Sequence, residues 1–373
     1  MAEIPGWFSL YLLRSVKPVP MNASAPDPGH AAHDWLSALP PATGAGEGDG
    51  LCHAILLERC FDGRAMRWSD ALVARTRRHI GGCLAAVEMK LRMELGMAVE
   101  APVSWERVQR DPALLGPALL RHMRDRAGLG LMGQDLALAD APQDDAADAT
   151  LFSPSARQAL AALALGQSGW ADAMPDEVPM RTDLPAEAMA ELVWTVGALV
   201  ADAMIEAGAP PALATRIDHA CSALLARHDE QHMPFAQAAL FAHQMRAAGV
   251  GDAHLLYLSR HRHILALLAL AADRLGADLP TLAHHALEGT EQALFSLCRA
   301  AEFPREVAVR LVLGRRSVAR GVDDSVLIRY ADDYDGMTSA EARDGLVVLG
   351  LSQPLRAGLA QVRARARRAV HDV

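Results

Sequence analysis

Apolar residues recur along most of this chain at the three- and four-residue spacing of an amphipathic helix. The clearest case is SDALVARTRRHIGGCLAAVEMKLRMEL, residues 69–95, which begins with Ser69 or Asp70 at the N-cap position. This pattern predicts one long helix, with Gly81-Gly82 as the place where it would bend. Shorter helices are predicted at about 33–39, 51–61, 112–127 and 153–165.

From residue 185 onward the pattern becomes more regular, because helical stretches end in Gly and restart near Pro. Examples are EAGAPPALA (206–214), RLGADLPTLA (274–283) and VLGLSQPLRAGLA (348–360). Gly just past a helix end and Pro near the next helix start suit the two termini chemically. The sequence therefore predicts an all-α protein, in which an N-terminal helical bundle is followed by stacked helical hairpins, a short HEAT-like α-solenoid. A plain helical bundle stays open, since the units vary in length.

Two stretches rich in turn residues divide the helical pattern, LPPATGAGEGDG at 39–50 and MPDEVPMRTDLP at 174–185. We place a domain boundary in the second of them. The predicted organisation is a disordered segment or extension at 1–30, an N-terminal helical domain at 31–173 and a C-terminal helical-repeat domain at 185–373.

Composition supports the helical prediction and narrows the functional class. Hydrophobic residues make up 51% of the chain but aromatic residues only 5%, so good helix formers carry the apolar mass. The net charge of −9 argues against a general nucleic-acid binder, which would need a basic surface. Lysine occurs only at Lys17 and Lys90, and the dominance of arginine indicates a GC-rich bacterial genome.

The five cysteines form no CxxC pair, which favours a reducing cytoplasm over a disulfide framework or a zinc ribbon. The apolar run near the N-terminus lacks a basic region before it, unlike a secretory signal. No later stretch reaches about 20 uninterrupted apolar residues, so no membrane span is predicted. The sequence thus predicts a cytoplasmic protein.

A resemblance to a known family rests on ALEGTEQALFSLCRAAEFPREVAVRLVLG, Ala286 to Gly314. Here a helix, a short turn at 302–304 and a second helix follow one another. The stretch from about Ala209 to Leu355 resembles an uncharacterised bacterial family of Ala/Leu-rich helical-repeat proteins. That resemblance implies helical repeats but implies neither an activity nor a set of site residues.

Candidate metal chemistry centres on ARHDEQHMPF, residues 226–235. On a helix, His228 and His232 would lie on one face about 6 Å apart, as the histidine pair of HExxH metallopeptidases does. Asp229 stands where that motif has Glu. Because Pro234 disfavours helical geometry before it, both histidines are predicted in the last turn of a helix, where the dipole favours them.

No third ligand lies near on the same helical face, so His228, Asp229 and His232 are candidates only, and no cofactor is predicted. Most of the fifteen histidines fall between His219 and His285. Their convergence on a metal, as in HD-type phosphohydrolases, stays open.

His79 suggests a different chemistry, that of an exposed phosphoacceptor in a signalling relay. Arg75 and Arg78 would then steady the phosphoryl group. The GxGxxG match GLGLMG, residues 128–133, follows a helical stretch instead of a strand. It is therefore interpreted as a flexible connection and not as a dinucleotide site.

The leading hypothesis is a non-catalytic helical-repeat module for protein interaction or regulation, with another protein as partner and homo-oligomers possible. The first alternative is a metal-dependent hydrolase that uses the His228/His232 region. The second is the phosphoacceptor of a relay through His79.

Overall fold

The described part of the chain is built from α-helices. The computed structural model describes residues 68–98, 102–139, 151–319 and 323–344, with residues 346, 351 and 355. Over these residues the backbone forms fourteen α-helices and no strand, which confirms the all-α prediction there. The helices are α1 (Asp70–Glu94), α2 (Val103–Arg110), α3 (Pro117–Ala139), α4 (Pro154–Gln167), α5 (Ala186–Glu206), α6 (Ala212–Ala226), α7 (Pro234–Ala248), α8 (Asp252–Arg260), α9 (Ile264–Leu275), α10 (Leu279–Glu288), α11 (Glu291–Ala300), α12 (Arg305–Arg315), α13 (Asp324–Gly336) and α14 (Ser339–Asp344).

Helix α1 is the long helix that the apolar pattern predicts. Ser69 is its N-cap, and the Ser69 hydroxyl accepts a hydrogen bond from the Leu72 amide at 3.1 Å. The helix continues through Gly81 and Gly82 to Glu94. The helices predicted at 33–39 and 51–61 lie outside the described residues.

Helix α3 lies at the centre of the described helices. It packs against α1 and also contacts α5, α9, α10 and α12, far along the chain. Its apolar side chains Leu119, Leu120 and Met123 are fully buried. The prediction that GLGLMG is a flexible connection is wrong, because residues 128–133 lie within this helix. Their glycines let other parts of the chain approach: a Cβ on Gly128 would lie 3.0 Å from the Leu287 side chain.

Helix packing joins chain neighbours and distant helices alike. Neighbours pack as α5 on α6, α9 on α10 and α11 on α12, whereas α4 packs on α7 and α11 on α14. All described residues belong to one compact unit, residues 44–373, and their apolar core is continuous from Trp68 to Tyr334. The stacked-hairpin arrangement and the domain boundary at 174–185 stay predictions.

A non-helical stretch between α4 and α5 runs over the α1–α3 pair, and we call residues 170–183 the crossing segment. Its Met180 amide donates a hydrogen bond to the Gly82 carbonyl of α1 at 3.0 Å. A Cβ on Gly81 would lie 2.6 Å from the Asp176 carbonyl oxygen, and a Cβ on Gly130 of α3 would lie 2.7 Å from the Trp170 carbonyl oxygen. The crossing segment can therefore touch both helices only because glycine occupies these positions.

Helix α5 is the one described helix that is long and apolar enough to cross a membrane, with a mean hydropathy of 1.6. Half of that stretch is buried within the protein. Core helices of globular proteins pass the same test, so the absence of a membrane span stays a prediction.

The packing at Gly130 can be tested against a second glycine of the same helix. Gly130→Ala should lower the free energy of unfolding by about 1–3 kcal/mol, because the new methyl group meets backbone that cannot move aside easily. Gly133→Ala should be neutral or stabilising by up to about 1 kcal/mol, because alanine favours a helix and the nearest heavy atom to its Cβ lies 3.8 Å away. Urea denaturation measures both, and equal effects at the two positions would contradict the described packing.

Candidate functional site

Three buried side chains hold the inner side of the crossing segment, and we call Arg78, His79 and Arg126 the clamp. Arg78 Nη1 donates to the Val178 carbonyl oxygen at 2.7 Å. Arg126 Nη2 donates to the Arg181 carbonyl oxygen at 3.0 Å, and His79 Nε2 pairs with the Trp170 carbonyl oxygen at 3.0 Å. The crossing segment has no helix to satisfy these carbonyls, so the clamp supplies their donors.

His79 is fully buried, so the prediction of an exposed phosphoacceptor is wrong in its placement of the side chain. Because a carbonyl oxygen only accepts, His79 Nε2 carries the hydrogen, and the buried Nδ1 atom has no partner. Burial, and then the nearby Arg126 charge, hold the pKa of His79 well below its usual value. Arg78, predicted to steady a phosphoryl group, is instead buried on the crossing segment.

The outer side of the crossing segment forms one wall of a cavity of about 510 Å³, which we call the groove. Helix α1 supplies the facing wall, and the starts of α5 and α7 and the end of α6 close the remainder. Its lining residues are Lys90, Met93, Glu94, Arg181, Thr182, Asp183, Met189, Leu224, Arg227, His228, Asp229 and Met233. This volume is in the range of ordinary ligand and peptide sites.

Methionine dominates the apolar lining of the groove. Met93 of α1 is 64% exposed, whereas Met189 of α5 is buried and Met233 is half-buried. Leu224 of α6 adds a buried branched side chain. Flexible, polarizable thioethers adapt to partners of different shape, and they are frequent on surfaces that bind peptides.

Charged residues of the groove are only partly neutralised by one another. Arg227 pairs with Glu94 at 2.7 Å, and Arg181 Nε pairs with Asp183 Oδ1 at 3.3 Å. The other oxygen of Asp183, Oδ2, is buried without a hydrogen-bond partner. Lys90 Nζ donates to the Thr182 hydroxyl at 3.3 Å and forms no ion pair within the described residues. The groove therefore offers one cation, Lys90, that no described carboxylate neutralises.

The stretch 226–235 is a connection between helices, so placing His228 and His232 in the last turn of one helix is wrong. Helix α6 ends at Ala226, and a 3-10 turn spans Glu230–His232. His228 Nε2 pairs with the Leu184 carbonyl oxygen at 2.9 Å, and the Glu230 carboxylate accepts from the Ala186 amide at the start of α5. Pro234 begins the next helix instead of ending this one.

The metal candidates have local structural partners in this connection. Asp229 Oδ1 accepts from the Gln231 amide at 2.9 Å, and Asp229 Oδ2 pairs with His232 Nδ1 at 2.7 Å. These contacts, the amide first, hold the pKa of Asp229 below its usual value. His228 lines the groove, whereas the His232 side chain is 78% exposed. Within the described ranges no group of three or more His, Cys, Asp or Glu is arranged to hold a metal ion.

Three further histidines between 219 and 285 contact backbone, aromatic and acidic partners. His254 pairs with the Leu151 carbonyl oxygen at 3.1 Å, His261 stacks on Tyr257 with ring centroids 4.1 Å apart, and His284 Nδ1 lies 3.1 Å from Asp125 Oδ2. His254 and His261 lie within and directly after α8, beside the rings of Phe152 and Tyr257, whereas His284 of α10 lies against α3. They offer no shared first shell for the HD-type chemistry that the sequence left open.

Comparison with known proteins gives no family-model match, no significantly similar curated protein and no significantly similar solved structure. The resemblance to a bacterial helical-repeat family therefore stays a prediction. The function has to be inferred from the geometry and chemistry of the groove.

Sequence reasoning found His228 and Asp229 but missed the residues that give the groove its character. Met93 and Asp183 belong to no motif, since α1 and the crossing segment meet only in the folded chain. The sequence did contain one signal for a groove residue, the rarity of lysine. Lys90 is one of only two lysines in a chain whose other basic side chains, histidine apart, are arginines.

Buried histidines around the crossing segment should make the protein sensitive to acid. Burial, and then the Arg126 charge, lower the pKa of His79 well below its usual value and the pKa of His122 to about 4. Both side chains therefore resist protonation in the folded state. In the unfolded chain the same histidines become protonated near pH 6.5. The free energy of unfolding is therefore highest above that pH and falls as the pH decreases below it. Each such histidine contributes up to about 1.4 kcal/mol per pH unit.

The variant His79→Gln tests this linkage, because glutamine can still donate to the Trp170 carbonyl but does not titrate. Between pH 7.5 and 5.5, the loss in unfolding free energy should be about 1 kcal/mol smaller than in the wild type. His243→Gln, on an exposed position of α7, is the matched control. The same acid-induced loss in His79→Gln and wild type would contradict the clamp's role.

Proposed function

We propose that this protein is a non-catalytic regulatory module of the bacterial cytoplasm, and that the groove binds a segment of a partner protein. The observation that carries this proposal is the combination of a methionine-lined cavity with charged side chains around it. Apolar contact area supplies binding free energy, whereas unpaired charges at the edge select the partner.

The exposure of Met93 is the strongest single support for a binding role. An unbranched side chain that is 64% exposed, next to Met189, Met233 and Leu224, forms an apolar patch with charged residues around it. Such patches on soluble proteins commonly mark sites of protein interaction. A bound segment would cover Met93 and extend the apolar contact into the groove.

The clamp supports the proposal because it makes the groove wall rigid. Arg126 holds the Arg181 carbonyl from the inner side, so the neighbouring Thr182 and Asp183 face the groove from a fixed backbone. A wall that is already ordered loses less conformational entropy when a partner binds. The groove is thus suited to selective binding.

Two observations make a hydrolase less well supported than a binding module. Asp229 is already used by the Gln231 amide and by His232, and the exposed His232 is no lining residue of the groove. A general base or metal ligand needs neighbours with matching roles around one reacting position.

The described free thiols Cys83, Cys221 and Cys298 accord with the predicted reducing compartment.

The groove can be tested with peptides selected from a random display library by the purified full chain. Met93→Glu should weaken binding of the selected peptides at least tenfold, because a carboxylate replaces apolar contact area at the edge of the groove. Leu165→Glu is the matched control: Leu165 of α4 is 66% exposed, close to the 64% of Met93, and does not line the groove. Fluorescence polarisation gives the dissociation constants.

The proposal fails if the wild-type chain selects no peptide above background. It also fails if both glutamate variants bind the selected peptides as tightly as the wild type does.

A further inference from the structure

We propose that Met93 is a site of oxidation by peroxide, and that its conversion to methionine sulfoxide weakens binding of the partner segment in the groove. The Met93 sulfur lone pair attacks one oxygen of hydrogen peroxide, the O–O bond breaks, and the second oxygen leaves as water with both hydrogens. This inference rests on the proposed function and names the regulation of the same site. It arises from the unequal exposure of the methionines that line the groove.

Met93 is the groove methionine that an oxidant in solution reaches first. Its side chain is 64% exposed, whereas Met233 is half-buried and Met189 is only 4% exposed. The oxidant has to contact the sulfur atom, so an exposed thioether reacts before a buried one. Oxidation of the groove therefore begins at its edge, where the partner segment first meets it.

Only one other methionine is exposed in the part of the chain that the structure describes. This is Met174, with 51% of its side chain exposed. It lies on the crossing segment but does not line the groove. Mild oxidation of the described residues should thus modify two methionines, of which only Met93 bears on the groove, and Met174 serves as the internal control.

Oxidation changes the property of Met93 on which the proposed binding depends. The thioether continues the apolar surface that Met189, Met233 and Leu224 form deeper in the groove. The sulfoxide is polar and chiral, and a bound apolar segment would have to remove water from its oxygen. The adaptable apolar edge of the groove is thereby lost.

Lys90 favours the oxidised form of Met93. It lies three positions before Met93 on α1, so the two side chains are neighbours on the helix surface, and both line the groove. No described carboxylate neutralises Lys90, whose Nζ atom donates to the Thr182 hydroxyl at 3.3 Å. A sulfoxide oxygen at position 93 gives this ammonium group a second acceptor, and hydrogen bonds from charged donors are the stronger ones. The sulfoxide thus occupies the cation that otherwise faces the partner.

The test treats the purified full chain with hydrogen peroxide at a dose that leaves its helical circular dichroism unchanged. The peptides selected for the groove are resynthesised with norleucine for methionine and serine for cysteine, so that only the protein is oxidised. Mass spectrometry of proteolytic fragments should show one added oxygen at Met93 and Met174 before the buried Met189. Fluorescence polarisation should then show about tenfold weaker binding, or weaker still, by the oxidised wild type.

Variants of the protein assign the loss to Met93. Met93→Leu should bind the peptides within about threefold of the wild type and keep that affinity after peroxide, because leucine preserves the apolar area without a sulfur atom. Met174→Leu is the matched control and should lose binding after peroxide as the wild type does. Met93→Gln places a polar group at the same position and should bind weakly without any oxidant.

Protection by the bound peptide provides a measurement that needs no variant. A saturating peptide covers the Met93 sulfur, so it should slow oxidation of Met93 about tenfold or more while leaving the rate at Met174 unchanged. Equal rates at Met93 with and without the peptide would overturn the inference.

The outcomes separate this inference from the proposed function. If peptides bind and Met93→Glu weakens them, but complete oxidation of Met93 leaves their dissociation constants unchanged, the oxidation inference is overturned and the proposed function stands. The same holds if Met93→Leu loses binding after peroxide as the wild type does, because another residue is then responsible. If the untreated chain binds no peptide, both are overturned.

Discussion

The carbonyl oxygens of the crossing segment have to find hydrogen-bond donors inside the protein, and the rest of the site depends on how they do so. This segment has no helix or sheet to satisfy them, and each buried carbonyl left without a donor would cost about 1–3 kcal/mol. The clamp supplies the donors from α1 and α3. Burying two arginines and a histidine is tolerable because each is bonded to backbone, and the α1–α3 pair is thereby fixed to the segment that covers it.

The groove follows directly from this arrangement. The clamp and the helix glycines hold the inner side of the crossing segment, so its outer side, with Thr182 and Asp183, faces α1 across a cavity. The connection after α6 completes the site, since His228 pairs with the Leu184 carbonyl directly after the crossing segment. His228 is therefore positioned by the packing of this connection against the start of α5, whereas His232 pairs with Asp229 within the connection itself.

Local features of the sequence could be predicted, and features set by distant contacts could not. Helix α1 follows from its apolar spacing and from Ser69, whose hydroxyl caps its first turn. By contrast, a run of glycines favours a loop when only neighbours in sequence are considered. In α3 tertiary packing overrides that preference, because Gly130 is needed where the crossing segment touches the helix.

The position of His79, a candidate reactive side chain, could not be predicted from its neighbours in sequence either. Its sequence neighbours are charged, so an exposed position is the natural prediction, yet the adjacent Arg78 is itself buried and directed onto the crossing segment. The groove residues are similarly invisible, because Lys90 and Asp183 are 93 positions apart and share a wall only after folding. What sequence alone supplied was the fold class and one edge of the site.

Hydrogen–deuterium exchange at the Met180 amide tests the central claim most directly, since this amide bonds to the Gly82 carbonyl beneath the crossing segment. The account predicts protection in the wild type close to that of the α1 amides, and faster exchange across residues 170–183 in Arg126→Met while α11 and α12 keep their protection. Exchange of the wild-type Met180 amide at the rate of an unstructured peptide would contradict it.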